Sequence, residues 1–169
     1  MVRVTKLVTP SGVEVELGPL SGDLRFLARN LHVLLRGESL PLRQSMGVDV
    51  GAAAILSVVW LNPGISQNDL AAAIVLRKAA ITKLVKKLEA GGLLSRRRTM
   101  QDRRMNALML TEKGQQMIAT IRPLATSMQD EIFAGIGDRD REIFFDVMSQ
   151  LVNRLAGQAT AIPDEDDDD

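Results

Sequence analysis

A mainly α-helical, α+β domain is the fold class that the sequence predicts, and three observations predict it. Apolar residues recur at three- and four-residue intervals along most of the chain from Ser21 to Leu155, the pattern of helices that bury one face. Between Leu93 and Leu110, two short alternating segments, "LLSRRR" and "MNALML", flank a polar centre and read as a β-hairpin. The 169 residues are 46% hydrophobic and 25% charged, which suits one globular domain with appendages and a core of useful size.

The elements follow in order. Residues 1–19 form an N-terminal extension in which "VRVTKLV" and "VEVELG" alternate around Pro10-Ser11-Gly12, the signal of a small β-hairpin. From Ser21 to Arg36, Leu24, Leu27, Leu31, Leu34 and Leu35 fall at helical spacing. A loop with Gly37 and Pro41 follows. "DVGAAAILSVVWL" reads as a buried helix stopped by Asn62-Pro63-Gly64, with Trp60 as a core or pocket residue near its end. Ser66 is placed to cap a short helix over "QNDLAAAIV". Lys78 to Ala90 form the next, with Ile81, Leu84, Val85 and Leu88 inward, and Gly91-Gly92 ends it. After the hairpin, Thr111 caps a long helix with a stripe of Met117, Ile121, Leu124, Met128 and Ile132, and Pro123 is expected to kink it. A last helix carries Ile143, Phe144, Val147, Met148, Leu151, Val152 and Leu155. Residues 159–169 end in "DEDDDD", a self-repelling block expected to form a disordered acidic tail.

Composition narrows the function. With no cysteine, thiol nucleophiles, cysteine-zinc clusters and thiol redox sensing are excluded, and the single histidine, His32, speaks against a histidine metal site or triad. No nucleophile-elbow, phosphate-loop or dinucleotide motif occurs, "GIGD" reads as a connector, and the eight methionines read as core fillers. The expectation is a protein that is no enzyme, with no catalytic residues, cofactor or metal. No apolar run reaches membrane-spanning length and no cleavable signal opens the chain, so the expected location is cytoplasmic.

The charges are segregated. The net charge is zero, yet Arg77 to Arg104 contains ten basic residues against Glu89 and Asp102 alone. Such a segment points to a polyanionic partner. Two short helices, a tight turn and a hairpin from Ser66 to Leu110 describe a winged helix-turn-helix. The inward stripe of its second helix leaves Lys78, Thr82, Lys83, Lys86 and Lys87 outside. A helix of that width fits the DNA major groove, where lysines neutralise phosphates and Thr82 is short enough to approach a base edge. The hairpin would carry Arg103 and Arg104 one groove away. A merely solvated lysine face is the alternative. Against it, Arg96, Arg97, Arg98, Arg103 and Arg104 repeat the same sign on the next element.

The stretch "ISQNDLAAAIVLRKAAITKLVKKLEAGGLLSRRRTMQDRRMNALMLTEKG" resembles the core of the multiple-antibiotic-resistance regulator (MarR) family of bacterial transcription factors. Ile81-Thr82-Lys83-Leu84-Val85, Leu88 before Gly92-Leu93, Arg96, Asp102-Arg103-Arg104 and Leu110-Thr111-Glu112-Lys113-Gly114 carry the likeness. Two departures stand out: Val75 occupies the turn where a glycine is usual, and Arg77-Lys78 open the second helix where a capping serine is common.

The resemblance implies a winged-helix domain over 20–158, with a DNA-binding lobe over 48–111 and dimerisation helices over 20–37 and 112–157. It implies a homodimer on a pseudo-palindromic operator, acting as a ligand-responsive repressor. An activator, or a winged-helix protein-interaction module, is the alternative. Arg77, Lys78, Thr82, Lys83, Lys86, Lys87, Arg96, Arg97, Arg98, Asp102, Arg103 and Arg104 are the candidate DNA-binding residues, with Asp102 orienting Arg104 into the minor groove. It further implies an anionic aromatic effector. Arg25, Arg29, His32 and Arg36 share one stripe that would supply cations, or else is a solvated face, while Phe26 and Trp60 would supply apolar walls.

Overall fold

The computed structural model describes residues 5–38, 50–98 and 106–158. The chain divides into two compact units, Met1–Gly47 and Val48–Asp169. Among the described residues, six α-helices and two antiparallel strand pairs are present.

The first unit opens with the expected hairpin, shorter than the alternation suggests. Strands β1 (Lys6–Val8) and β2 (Glu14–Glu16) pair Lys6 with Glu16, Leu7 with Val15 and Val8 with Glu14. Lys6 Nζ donates to Glu14 Oε2 at 3.0 Å and lies 3.3 Å from Glu16 Oε1. Those two carboxylates, Glu14 foremost, hold the Lys6 ammonium above its ordinary pKa. A 3-10 turn over Gly18–Gly22 leads to helix α1 (Leu24–Glu38), which starts at the first leucine of the stripe, three residues after Ser21. Asp23 explains the start, because its Oδ1 accepts the Phe26 N–H at 2.7 Å. None of the side chains described in this unit is buried, and Leu24, Leu27, Leu31, Leu34 and Leu35 are exposed.

The second unit holds the core. Helix α2 (Val50–Leu61) is apolar on most of its circumference, with Ala52, Ile55, Leu56 and Val59 buried and its end at Trp60 and Leu61 exposed. It packs against α5 (Glu112–Ile132), strand β4 (Asn106–Leu110), α4 (Lys78–Ala90) and α3 (Gln67–Ala73). Ile55, Leu56 and Val59 from α2 meet Leu70, Ile81, Val85, Leu108 and Ile118 in the fully buried centre. Burying each such side chain favours folding by about 1.5–3 kcal/mol. Strand β3 (Leu94–Arg98) pairs with β4 from Leu94↔Leu110 to Arg98↔Asn106. The chain just before α3 pairs with the other edge of β4: Gly64 N–H donates to Leu108 O at 2.9 Å and Leu108 N–H to Ile65 O at 3.0 Å. This places the hairpin against the start of the helix-turn-helix.

Both expected caps are present. Ser66 Oγ accepts the Asp69 N–H at 3.1 Å and donates to Asp69 Oδ2 at 2.6 Å. Thr111 Oγ1 accepts the Gly114 N–H at 3.1 Å and donates to Gly92 O at 2.6 Å. Helix α5 continues unbroken across Pro123. Its inward line is Gly114, Ile118 and Ile121, whereas Leu124 and Ile132 are exposed. Ile118 is thus the core residue that the expected stripe left out. The buried residues of α5 thus lie in its first half, and in the second half Met128 is half-buried. Helix α6 (Asp138–Gln158) likewise exposes Ile143, Phe144, Val147, Val152 and Leu155. At its start Phe133, Phe144 and Phe145 cluster with ring centroids 5.3–5.7 Å apart. Arg141 pairs with Asp130 at 2.8 Å and lies over the Phe133 ring.

Candidate nucleic-acid interface

Helix α4 owes its orientation to its sequence. Ile81, Val85 and Leu88 are buried and Leu84 is half-buried, so the opposite surface carries Lys83, Lys86 and Lys87, all exposed. Each residue turns the helix by about 100°, which sets exposed Lys78 at one flank of that surface. Arg77 is the N-cap residue, with no side-chain hydrogen bond to the cap, and is half-buried.

Thr82 stands on the flank nearest α3. Its hydroxyl donates to Lys78 O at 2.6 Å and accepts from Gln67 Nε2 at 2.8 Å. The hydroxyl is therefore already engaged by two partners, and its base-edge role would require it to exchange one of them. Gln67 ties the first residue of α3 to the middle of the first turns of α4. Sequence reasoning missed this residue, since its partner lies fifteen positions away.

The turn between these helices is built like the end of α4. After α3, Val75 N–H reaches Ala72 O at 3.3 Å and Leu76 N–H reaches Ala71 O at 3.0 Å. After α4, Gly92 N–H reaches Glu89 O and Leu93 N–H reaches Leu88 O, both at 2.9 Å. Both are Schellman motifs, in which the residue past the cap takes a left-handed conformation. Gly92 does so at φ +68°, and Val75 does so at φ +53°. For a β-branched side chain that conformation is strained. The missing glycine leaves the turn in place and costs conformational energy.

Arg96 and Arg97 alternate across β3. Arg96 Nε donates to Glu89 Oε1 at 2.8 Å, a pair with side-chain exposures of 29% and 26%. The guanidinium of this candidate DNA contact thus clamps the wing strand to α4. It also neutralises the acid of that helix. Arg97 is exposed. Asp69, the other acid among the described residues from Ser66 to Arg97, is occupied at the α3 N-terminus. Both of these acids thus have partners away from Lys83 and Lys86. Asp102, Arg103 and Arg104 lie outside the described residues, as does the Arg98 side chain.

Lys113 Nζ donates to Gly91 O at 2.8 Å, and Thr111 N–H donates to Leu93 O at 3.1 Å. Together with the Thr111 hydroxyl they fasten the start of α5 to the turn between α4 and β3. The basic helix and the wing are therefore held from both sides.

The effector candidates fall in different units. Arg25, Arg29, His32 and Arg36 are exposed along α1, and Phe26 is half-buried there. Trp60 belongs to the second unit and is 39% exposed, so it is no core residue. The Arg122 guanidinium from α5 lies 4.3 Å from its ring centroid, a cation–π contact that sequence spacing did not reveal. Among the described residues, no group of three histidine, aspartate or glutamate side chains is placed to hold a metal, and no helix is long and apolar enough to cross a membrane.

The sequence profile of the MarR family matches residues 46–105. A putative transcriptional regulatory protein for the hcr operon of Thauera aromatica is 30% identical over 139 residues, covering 82% of this chain and 84% of that protein. The transcriptional repressor CouR, solved bound to a 23-mer DNA duplex, superposes with a TM-score of 0.74 at 24% identity, covering 82% of this chain and 99% of that chain. The PcaV transcriptional regulator from Streptomyces coelicolor, solved with its natural ligand, gives a TM-score of 0.69 at 23% identity, covering 79% and 94%.

Proposed function

The chain belongs to the MarR family of transcriptional regulators, and from that premise we propose that it binds a pseudo-palindromic duplex operator as a homodimer and represses transcription. The observation that carries the reading is the lysine face of α4, exposed beside a wing strand while Glu89 and Asp69 are engaged elsewhere. Lys78, Lys83, Lys86, Lys87 and Arg97 contact phosphates and release counterions. Arg77 and Thr82 lie at the edge of that surface, and Arg96 serves by holding the wing. Arg98, Arg103 and Arg104 extend the contact, with Asp102 orienting Arg104 towards the minor groove.

The lobe over 48–111 carries these contacts, and the helices over 20–37 and 112–157 form the dimer. Support for the dimer comes from the exposed leucines of α1 and the exposed apolar side chains of α6. Such faces are normally covered in solution. A small anionic aromatic effector, its acidic group met by Arg25, Arg29, His32 and Arg36, releases the DNA. Coupling requires that the effector bind the non-binding state more tightly. The MarR fold and family are those of transcriptional regulators, and the cytoplasm is the compartment this role requires.

Selection of genomic fragments on the immobilised protein, followed by footprinting and sedimentation, tests the reading. The expected result is a dimer protecting two half-sites about 10 bp apart, one helical turn. A stable monomer at micromolar concentration, or fragments without a shared site, overturns it.

A further inference from the structure

The net charge of zero is a sum of two unlike parts. Six of the 21 acids lie in Asp164–Asp169, so the rest of the chain carries 15 acids against 21 bases, a net charge of +6. Among the described residues from Ser66 to Arg97 the acids are Asp69 and Glu89. Glu89 is taken by Arg96 and Asp69 by Ser66. Lys78, Lys83, Lys86 and Arg97 are exposed.

We propose that the segment Asp164–Asp169 docks on this lysine face of α4 and competes there with DNA phosphate. The inference rests on the reading of that face as a DNA-binding surface and adds a built-in competitor to it. Charge complementarity selects the occupant: the segment is the longest acidic run in the chain, and it matches the excess of +6. The segment is tethered: residues 159–163 join Asp164 to Gln158, the last residue of α6, a link that reaches at most about 20 Å. A tether of this kind holds a weak ligand at about millimolar effective concentration. The contact is purely ionic and hence screened as salt rises, the Debye length falling from about 10 Å at 0.1 M to about 3 Å at 1 M.

Two consequences follow. At low salt the segment lowers the affinity for any duplex, since both random and operator DNA must displace it. At high salt the penalty vanishes, because the segment leaves before the DNA does. A general repulsion between DNA and six extra negative charges would need no contact with α4, so the decisive experiment reads the contact itself.

The full chain, without DNA, is treated with a carbodiimide that joins carboxylates to amines only at direct contact, and the cross-linked peptides are mapped. Asp164–Asp169 should join Lys78, Lys83 and Lys86 at about 50 mM salt, and these links should disappear at about 0.5 M salt or on adding a random duplex. In parallel, a variant with Asp164, Glu165 and Asp166–Asp169 changed to their amides should bind a random duplex about three- to tenfold more tightly at about 50 mM salt and equally at about 0.5 M. Links spread evenly to Lys6 and Lys113, or an amide variant with unchanged affinity at low salt, overturn the proposal. If neither chain binds any duplex, the DNA-binding reading itself fails, while the cross-link map still decides whether the segment occupies α4.

Discussion

Replacing Gly114 by alanine puts two opposing effects on one residue. Gly114 is the third residue of α5, and at an ordinary helical site the exchange stabilises by about 1 kcal/mol, because alanine is the better helix former. Here an added Cβ would fall on the carbonyl oxygen of Leu93, with Leu93 C at 3.1 Å and Leu110 Cδ2 at 3.3 Å. The obstacle is backbone, and it is already fixed: Leu93 O accepts the Thr111 N–H at 3.1 Å. Overpacking against a wall that cannot move costs about 1–3 kcal/mol. Relief by lifting α5 would break the bonds from Thr111 to Gly92 and from Lys113 to Gly91, each worth about 0.5–1.5 kcal/mol. The clash and the lost bonds outweigh the helix propensity, so Gly114→Ala should destabilise the protein by about 2–3 kcal/mol, which for this length lowers Tm by about 5–10 °C. Urea unfolding followed by circular dichroism measures it at fixed protein concentration. A variant as stable as the parent, or about 1 kcal/mol more stable, would show that α5 does not approach the turn so closely.

Three further outcomes follow from the same reasoning. Val75→Gly removes a left-handed strain of about 1–2 kcal/mol and gives back part of it in chain entropy and lost apolar contact, so urea unfolding should show a gain of up to about 1 kcal/mol; Gly92→Val, at the matching position, should lose about 1–2 kcal/mol. Arg104→Ala should weaken operator binding by about 1–3 kcal/mol, and Asp102→Ala should weaken it too, although it removes a charge that repels phosphate; tighter binding of the Asp102 variant in a titration at one salt concentration contradicts the orienting role. Arg29→Ala and His32→Ala should blunt the release of operator DNA by aromatic carboxylates while leaving DNA affinity unchanged, and a panel of such acids and their thioesters without effect on affinity would reduce the α1 stripe to a solvated face.

What was legible in the sequence was local. The limits of α4 follow from Ile81, Val85 and Leu88 and the stop at Gly91-Gly92, and the helix runs from Lys78 to Ala90 as that pattern requires. Ser66 and Thr111 were readable as caps, because the bonds of a cap span only three residues. The errors lie where a second element decides. Spacing along α5 favours Leu124 and Ile132 equally with Ile121, yet only the first half of that helix meets α2. Arg96 reads as one of five arginines, and only its approach to Glu89 shows that it also clamps the wing to α4. Thr82 reads as an outward hydroxyl until Gln67 closes on it. Trp60 reads as a core or pocket residue from its apolar helix; the core is excluded, because the helix ends beside it and Arg122 meets the ring at the surface. Val75 was visible as a departure, and its backbone shows why valine can stand there: the two Schellman bonds hold a conformation the side chain disfavours.

The central claim is that the lysine face of α4 lies on DNA phosphate, and the salt dependence of binding tests it most directly. Each phosphate neutralised contributes about 0.9 to the slope of log affinity against log salt concentration. With a duplex of fixed length, the Lys83→Ala, Lys86→Ala double variant should fold like the parent and show a slope shallower by about 3.6, four lysines being lost from the dimer, with similar losses on operator and random DNA. A double variant that retains the parent slope on both duplexes contradicts the account, since the exposed lysines of α4 would then make no phosphate contacts.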